Sequence, residues 1–266
     1  MNTTIHLQRT WIVMNRLNRG DNFCLSLIQA TIILFCLGTS GKAFSQQSEL
    51  LITTESSIPF NMSSDNGQTI FGKTADKVHE IMRRSQIPYH MQIMSWNRAF
   101  ELARTQANTC VYETARTADR ETNFQWVGPI SKGEWGIYGS PDKVGKIRRL
   151  SDIKNASIGG YKGDALGQYL TTHGYSVINS YDDDITLKNL LLGRLDYWTS
   201  DTTQALPMLI QHHATDKVVL LFTYGSSDYY LACNPKVDEK WIDTMREKLK
   251  EIKADGTEAK IQAKYQ

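Results

Sequence analysis

Short apolar segments alternate with amphipathic segments in the region that begins near residue 50. Ala75, Val78, Ile81 and Met82 recur at helical spacing, as in a helix that buries one face. With the neighbouring segments they predict strand, helix, strand, helix and strand at residues 50–54, 74–84, 89–94, 98–107 and 109–113. This order favours a mostly parallel sheet with helical crossovers. Residues 56–67 are predicted to form a loop.

A second series of elements starts at residue 135 and repeats the alternation. The pattern predicts strands at residues 135–138, 156–160, 176–180, 197–199 and 218–222, and helices at 165–173, 185–192 and 203–211. The run Asp182-Asp183-Asp184 is interpreted as a solvated turn before the second of these helices. Two terminal helices are predicted at 238–252 and 258–265, separated by Gly256. The chain therefore reads as two α/β units in tandem.

The N-terminal 45 residues are predicted to be a secretory signal peptide. A polar segment with three arginines precedes an apolar run at residues 23–38, and small residues at Ala43 and Ser45 precede a cut before Gln46. The alternative is a membrane anchor, but Ser26 and Gln29 interrupt the run, which is shorter than the ~20 residues of a membrane span. We therefore expect export to the periplasm.

Composition narrows the function classes. The 266 residues include 30 basic and 28 acidic side chains, and no basic run of the kind that binds nucleic acid is present. The sequence contains no nucleophile elbow, metal-binding pair of histidines, phosphate loop or dinucleotide fingerprint. We expect no cofactor, metal, catalytic residue or nucleic-acid partner. Cys110 and Cys233 remain after signal removal, either bonded or as two buried thiols.

Several short motifs occur in a characteristic order. They are Ile58-Pro-Phe60, Trp96-Asn-Arg98-Ala99, the Arg-Thr-Ala-Asp-Arg-Glu run at 116–121, Gly128-Pro129, the Ile-Gly-Gly-Tyr-Lys-Gly run at 158–163, and the terminal Ala-Asp-Gly-Thr pattern at 254–257. In this order and spacing the chain resembles the periplasmic solute-binding proteins of family 3, the polar amino-acid-binding components of ABC transporters. The resemblance extends almost from residue 50 to residue 265.

The resemblance implies a type II periplasmic-binding-protein fold. Two lobes, each a mostly parallel sheet flanked by helices, would be joined by two hinge strands. Lobe one would contain residues 46–130 and 230–266, and lobe two residues 131–229, with hinges near 130–134 and 226–230. The family places the strands at 109 and 230 side by side, which implies a cross-strand disulfide between Cys110 and Cys233.

The resemblance also implies a ligand site between the lobes. Arg120 matches the arginine that binds a ligand carboxylate, because its planar fork suits that group; the alternative is an exposed arginine at a helix start. Asp201 matches the aspartate that binds the ammonium group, or it caps the following helix. Thr117 lies in the same loop as Arg120 and would donate to the carboxylate.

The remaining candidates would form the walls of the site. Phe60 and Trp96 would sandwich an apolar or planar part of the ligand, and Tyr161 belongs to the lobe-two loop. Glu113 and Asp164 stand where the family commonly has small or hydroxyl residues. With Asp201 they would make an acidic pocket, which favours a basic amino acid or an amine.

The expected function is therefore capture of a small polar ligand, an amino acid or amine, by a monomeric protein that delivers it to an ABC permease. The first alternative is a sensory or orphan binding protein without a transporter. The second is a periplasmic enzyme, because a dehydratase class shares the fold.

Overall fold

The computed structural model describes residues 49–64 and 67–265. The predicted signal peptide lies outside the described residues. Among the described residues, no helix combines the length and the apolar character needed to cross a membrane.

Ten strands and seven α-helices account for most of this region. The strands are β1 Leu50–Thr54, β2 Met62–Ser64, β3 Thr69–Phe71, β4 Tyr89–Ile93, β5 Thr109–Ala115, β6 Gln125–Gly139, β7 Ser157–Tyr161, β8 Ser176–Ser180, β9 Tyr197–Asp201 and β10 Val219–Cys233. The helices are α1 Lys73–Ser85, α2 Trp96–Thr105, α3 Ala165–Thr172, α4 Asp183–Leu191, α5 Thr202–Gln211, α6 Glu239–Ala254 and α7 Thr257–Ala263.

Eight of the strands form one mixed sheet in the order β4-β1-β5-β10-β6-β9-β7-β8. The outer strands are parallel to their neighbours at both ends: β4, β1 and β5 at one end, and β9, β7 and β8 at the other. The two long central strands, β6 and β10, run antiparallel to each other and to their outer neighbours. The predicted parallel crossovers are therefore present on both sides of an antiparallel centre.

The fold has two lobes that share the two long strands. We call lobe one the part containing β1, β4, β5, α1, α2, α6 and α7, and lobe two the part containing β7, β8, β9, α3, α4 and α5. The two predicted hinge segments pair with each other, because Ser226 faces Glu134 and Tyr229 faces Ser131 in the ladder between β10 and β6. The numbered lobe boundaries fall inside unbroken strands and stay a prediction.

Helices cover both faces of the sheet in each lobe. In lobe one, α1 and α6 bury Ile81 and Met245 against one face, while α2 buries Trp96 and Ala99 against the other. In lobe two, one face carries the cluster around Trp198 and the other the cluster around Ile158. The strand ends at the junction of the lobes are thus held by two independent cores.

The sequence pattern underestimates the lengths of β6 and β10. Both were predicted to be short, but each has 15 residues. In the middle of β6 the sequence does not show a regular apolar pattern. Pro129, Lys132 and Glu134 are exposed there, where the strand passes from one lobe to the other. The predicted loop at 56–67 also contains β2, which pairs with β3 as a short hairpin.

Cys110 and Cys233 are directly opposite each other on β5 and β10. Their sulfur atoms are joined in a disulfide that closes a sequence separation of 123 residues. Both side chains are fully buried in the core of lobe one. The bond ties the last strand of the chain to the strand that leads into the cleft.

Candidate functional site

A cleft between the two lobes contains six of the eight predicted site residues. Its deepest part, which we call the inner cavity, has a volume of about 60 Å³. Its lining includes all six, namely Trp96, Glu113, Arg120, Tyr161, Asp164 and Asp201. The fold therefore brings together side chains from β5, β9, α2 and the loop after β7.

Arg120 is buried at the inner cavity rather than exposed. It lies in the loop that follows β5, and its side chain is only 4% exposed. Its Nη2 donates a 3.0 Å hydrogen bond to the backbone carbonyl of Gly163, and its guanidinium lies 5.0 Å from the ring centre of Phe100. Burial lowers the pKa of Arg120 from its ordinary value, although the carboxylates of Asp119 and Asp164 oppose that shift.

Asp201 caps a helix and also lines the inner cavity, while its predicted ammonium contact stays a prediction. It ends β9, and its Oδ1 accepts a 2.9 Å hydrogen bond from the Thr203 N–H, which caps α5. Its Oδ2 accepts a 3.3 Å hydrogen bond from the hydroxyl of Tyr229. The side chain is 5% exposed, and burial raises its pKa. A Cβ at Gly133 would overlap Oδ2, so the glycine makes room for this carboxylate.

The end of β7 contributes Tyr161, and the loop after it contributes Gly163 and Asp164. Asp164 caps α3, because it accepts a 2.7 Å hydrogen bond from the Gly167 N–H. Burial raises the pKa of Asp164 to about 6. Gly163 has a left-handed φ of 83°, and its carbonyl accepts a 3.0 Å hydrogen bond from Nε1 of Trp96 as well as the bond from Arg120.

Those two hydrogen bonds join the lobes across the cleft. Trp96 and Arg120 belong to lobe one, whereas Gly163 belongs to lobe two. A third link is the 3.1 Å hydrogen bond from Nε2 of Gln168 to Oδ2 of Asp119. The structure thus describes a closed arrangement in which the lobes contact each other around the inner cavity.

Glu113 has an unusual backbone position at the edge of the inner cavity. It lies within β5 and has a φ of 61°, in the left-handed region that non-glycine residues seldom adopt. Its Oε2 accepts a 2.8 Å hydrogen bond from Oγ of Ser131 on β6. Burial raises the pKa of Glu113, and Asp201 adds to the increase. Strained backbone at a cleft is typical of functional sites.

Two further carboxyl groups in the inner cavity were missed from the sequence. Glu55 follows β1 directly, and burial, with contributions from Asp183 and Asp164, raises its pKa to about 8. Asp183 is the first residue of α4, and burial raises its pKa to about 7. The interpretation of residues 182–184 as a solvated turn was wrong for Asp183, which faces the cleft. An acid at the carboxyl end of a parallel strand was the available signal for Glu55.

Phe60 and Thr117 do not line the inner cavity. Phe60 is buried, and its carbonyl accepts hydrogen bonds from the N–H groups of Thr74 and Ala75 at the start of α1. The carbonyl of Thr117 accepts a 3.0 Å hydrogen bond from the Arg120 N–H. Both residues support the loops that carry site residues, and their predicted ligand contacts stay predictions.

A larger space adjoins the inner cavity. This outer cavity has a volume of about 430 Å³. Five residues line both spaces: Glu55, Ser57, Tyr161, Asp183 and Gln204. Asp182 and Asp184 add further acidic side chains to the outer cavity, and Met94 and Met208 add apolar ones. Within residues 49–64 and 67–265, no three histidine, cysteine or acidic residues are grouped to hold a metal ion.

Two α/β lobes around a closed, polar cleft form a type II periplasmic-binding-protein fold. Residues 50–266 match the family model of the bacterial extracellular solute-binding proteins, family 3. The chain belongs to this family, as its motifs predicted. No curated protein sequence matches it.

Solved structures with the same fold have several functions. An ancestral arginine-binding protein bound to arginine has a TM-score of 0.70 at 20% identity, covering 82% of this chain and 97% of that one. A histidine kinase sensor domain has a TM-score of 0.75 at 14% identity, covering 82% and 96%. The ancestral amino acid-binding protein AncCDT-1, a precursor of cyclohexadienyl dehydratase, has a TM-score of 0.68 at 17% identity, covering 82% and 94%. At these identities the similarity shows the fold alone.

Proposed function

We propose that this protein binds a small cationic solute, a basic amino acid or an amine, between its lobes. The observation that carries the proposal is the charge of the inner cavity. Five carboxyl side chains line it: Glu55, Glu113, Asp164, Asp183 and Asp201. Arg120 is the single basic residue among the described residues of the lining. A bound cation would stabilise the ionised forms of these acids, which burial and mutual repulsion disfavour.

The ligand would act by stabilising the closed arrangement. Arg120 and Glu113 approach the cavity from lobe one, and Asp164 and Asp201 approach it from lobe two. A solute that contacts the residues of both lobes binds the closed form more strongly than the open form. Only that difference in affinity shifts the equilibrium between the open and closed forms. The antiparallel pair β6 and β10 would bend at the predicted hinges to allow the movement.

The partner in this proposal is an ABC permease, which receives the solute from the closed, monomeric protein in the periplasm. The family membership and the resemblance to arginine-binding proteins support this assignment. The second candidate is a sensory role, which the similarity to a histidine kinase sensor domain supports. Neighbouring genes for a permease and an ATPase would favour import, and a neighbouring signalling gene would favour sensing.

Thermal shift measurements test the binding step. The purified protein is titrated with basic amino acids, amines, small carboxylates and sugars. A ligand at ~100 times its dissociation constant should stabilise the protein by roughly 2.7 kcal/mol, or on the order of 5–10 °C for a protein of this size. The proposal requires shifts with cationic compounds. Shifts with carboxylates or sugars alone, or none with any compound, would contradict it. Recovery of the ligand unchanged after incubation would count against an enzyme.

A further inference from the structure

An unpartnered side chain in the inner cavity carries information about the ligand that the acidic groups do not. Asn61 lines this cavity and is fully buried, with 0% exposure. Neither its Nδ2 nor its Oδ1 has a hydrogen-bond partner in the part of the chain that the structure describes. Buried amides are almost always hydrogen-bonded, because leaving one unpaired is costly. Asn61 therefore points to a polar group that enters the cavity.

The backbone holds Asn61 in this place. Its N–H donates a 2.7 Å hydrogen bond to the carbonyl of Ser57, and its own carbonyl accepts a 2.8 Å hydrogen bond from the Ser57 N–H. The next residue begins β2, and the preceding carbonyl, that of Phe60, accepts bonds from the start of α1. Because the main chain is fixed on both sides, the amide cannot reach solvent by a small movement.

The sizes of the two cavities limit the shape of the ligand. One water molecule needs ~10–15 Å³ of cavity volume. The inner cavity of about 60 Å³ therefore has room for about four to six heavy atoms. A longer molecule must continue into the outer cavity of about 430 Å³. Glu55, Tyr161 and Asp183 line both cavities, so the two spaces adjoin at these side chains. The geometry fits an elongated ligand with a small head inside and a chain leading outward.

The charges limit the chemistry of both ends. Glu113 and Asp201 line the inner cavity, and Asp182 and Asp184 line the outer cavity. Arg120, the expected partner of a carboxylate, already donates to the Gly163 carbonyl at 3.0 Å. A ligand carboxylate would displace that contact between the lobes and would meet several acidic groups. Positive charge suits both ends of the space.

On the basis of the proposed binding function, we infer that the ligand is an elongated dication without a carboxylate, such as a linear diamine, whose inner head binds Asn61, Glu113 and Asp201. The Asn61 Oδ1 accepts a hydrogen bond from the ammonium head. An ammonium has no acceptor, so the Asn61 Nδ2 is left to donate to a carboxylate of the cavity such as Glu113, whose Oε1 has no partner among the described residues. The aliphatic chain passes Tyr161, and the second cationic group lies among the acids of the outer cavity. This assignment distinguishes an amine from the amino acid that differs from it only by carrying a carboxylate.

Matched pairs of compounds test the inference by isothermal titration calorimetry. Cadaverine is lysine without its carboxylate, and agmatine is arginine without it. We expect each amine to bind at least tenfold more tightly than its amino acid, and 1-aminopentane to bind at least tenfold more weakly than cadaverine. If lysine or arginine binds as tightly as its amine, the inference fails while the proposed function stands. If no cationic compound binds, both fail.

Two asparagine variants test the role of Asn61. Asn61→Leu removes the unpaired amide with little change in volume, so the ligand-free protein should keep or raise its Tm while its affinity for cadaverine falls at least tenfold. Asn234→Leu is the matched control, because Asn234 is 3% exposed and its Nδ2 donates to the carbonyls of Ala103 and Arg104 away from the cleft. That variant should lose stability and keep its affinity. Unchanged cadaverine affinity in Asn61→Leu would overturn the assignment.

Discussion

The acid-rich cleft should make the ligand-free protein less stable as the pH rises, and Glu55 is the best place to test this. Burial raises its pKa from the ordinary 4.5 to about 8. Between these values the folded protein keeps a proton that the unfolded chain has lost. The stabilising contribution is fully present below pH 4.5 and is lost as the pH rises through about 8. The substitution Glu55→Gln removes this titration and keeps the shape of the side chain.

The size of the effect follows from proton linkage. One proton bound only by the folded state gives a loss of about 1.4 kcal/mol per pH unit. Between pH 6 and pH 8 the wild-type protein should therefore lose roughly 2–3 kcal/mol through Glu55, with the loss flattening as the folded-state pKa is approached. For a protein of this size that is a fall in Tm of roughly 5–10 °C. Asp164 and Asp183 add a further loss at lower pH, since burial raises their pKa values to about 6 and about 7.

Urea denaturation at pH 5, 6, 7, 8 and 9 measures this loss without ligand. The difference in unfolding free energy between Glu55→Gln and wild type should grow by roughly 2–3 kcal/mol from pH 6 to pH 8. Glu247→Gln is the control, because Glu247 is exposed on α6 away from the cleft. Its difference from wild type should stay constant. A wild-type stability that is flat or rises over this range would refute the reasoning.

Three other substitutions probe the lobe core and the site. Replacing Cys110 and Cys233 with alanine removes a bond across 123 residues, and urea denaturation should show a loss of roughly 2–5 kcal/mol. Gly133→Ala places a Cβ against Oδ2 of Asp201 and 2.7 Å from the Tyr229 ring. It should cost roughly 1–3 kcal/mol of stability and weaken cation binding in calorimetry; retained affinity would contradict the placement. Asp201→Asn should keep the α5 cap and lose cation affinity, whereas Asp201→Ala should also lose ~1 kcal/mol of stability in denaturation.

The sequence pattern predicts the outer parts of the sheet well and its centre poorly. The predicted bounds of β1 and β8 agree with the structure, although β1 is largely buried and β8 is a largely exposed edge strand. In β6 and β10 the chain passes between two cores, so the buried face changes along the strand. Exposed residues such as Lys132 and Asp228 then interrupt the apolar pattern in mid-strand. The order of motifs identifies the family because it does not depend on this local regularity.

The candidate site is predictable where a residue stands in a motif. Arg120 and Asp164 follow recognisable segments, and both line the inner cavity. Asn61 and Asp183 carry no such mark. Asn61 lies in the predicted loop at 56–67, and Asp183 lies in a run of three aspartates that is interpreted as a solvated turn. Asp183 lies in the cleft because lobe two approaches lobe one, which depends on contacts far apart in the sequence.

Asp201 shows why alternatives weighed from sequence need not exclude each other. Helix capping and ligand binding both call for an aspartate at the end of a strand, so the sequence presents them as competing explanations. In the structure the cap uses Oδ1, which accepts from the Thr203 N–H, so the proposed ligand contact would use the other atom, Oδ2, which accepts from the Tyr229 hydroxyl. The cap fixes the carboxylate in one rotamer before a ligand arrives, so less conformational entropy is lost on binding. The same holds for Asp164, whose side chain caps α3. In lobe two, helix N-termini thus position the acidic groups that the proposed cation would contact.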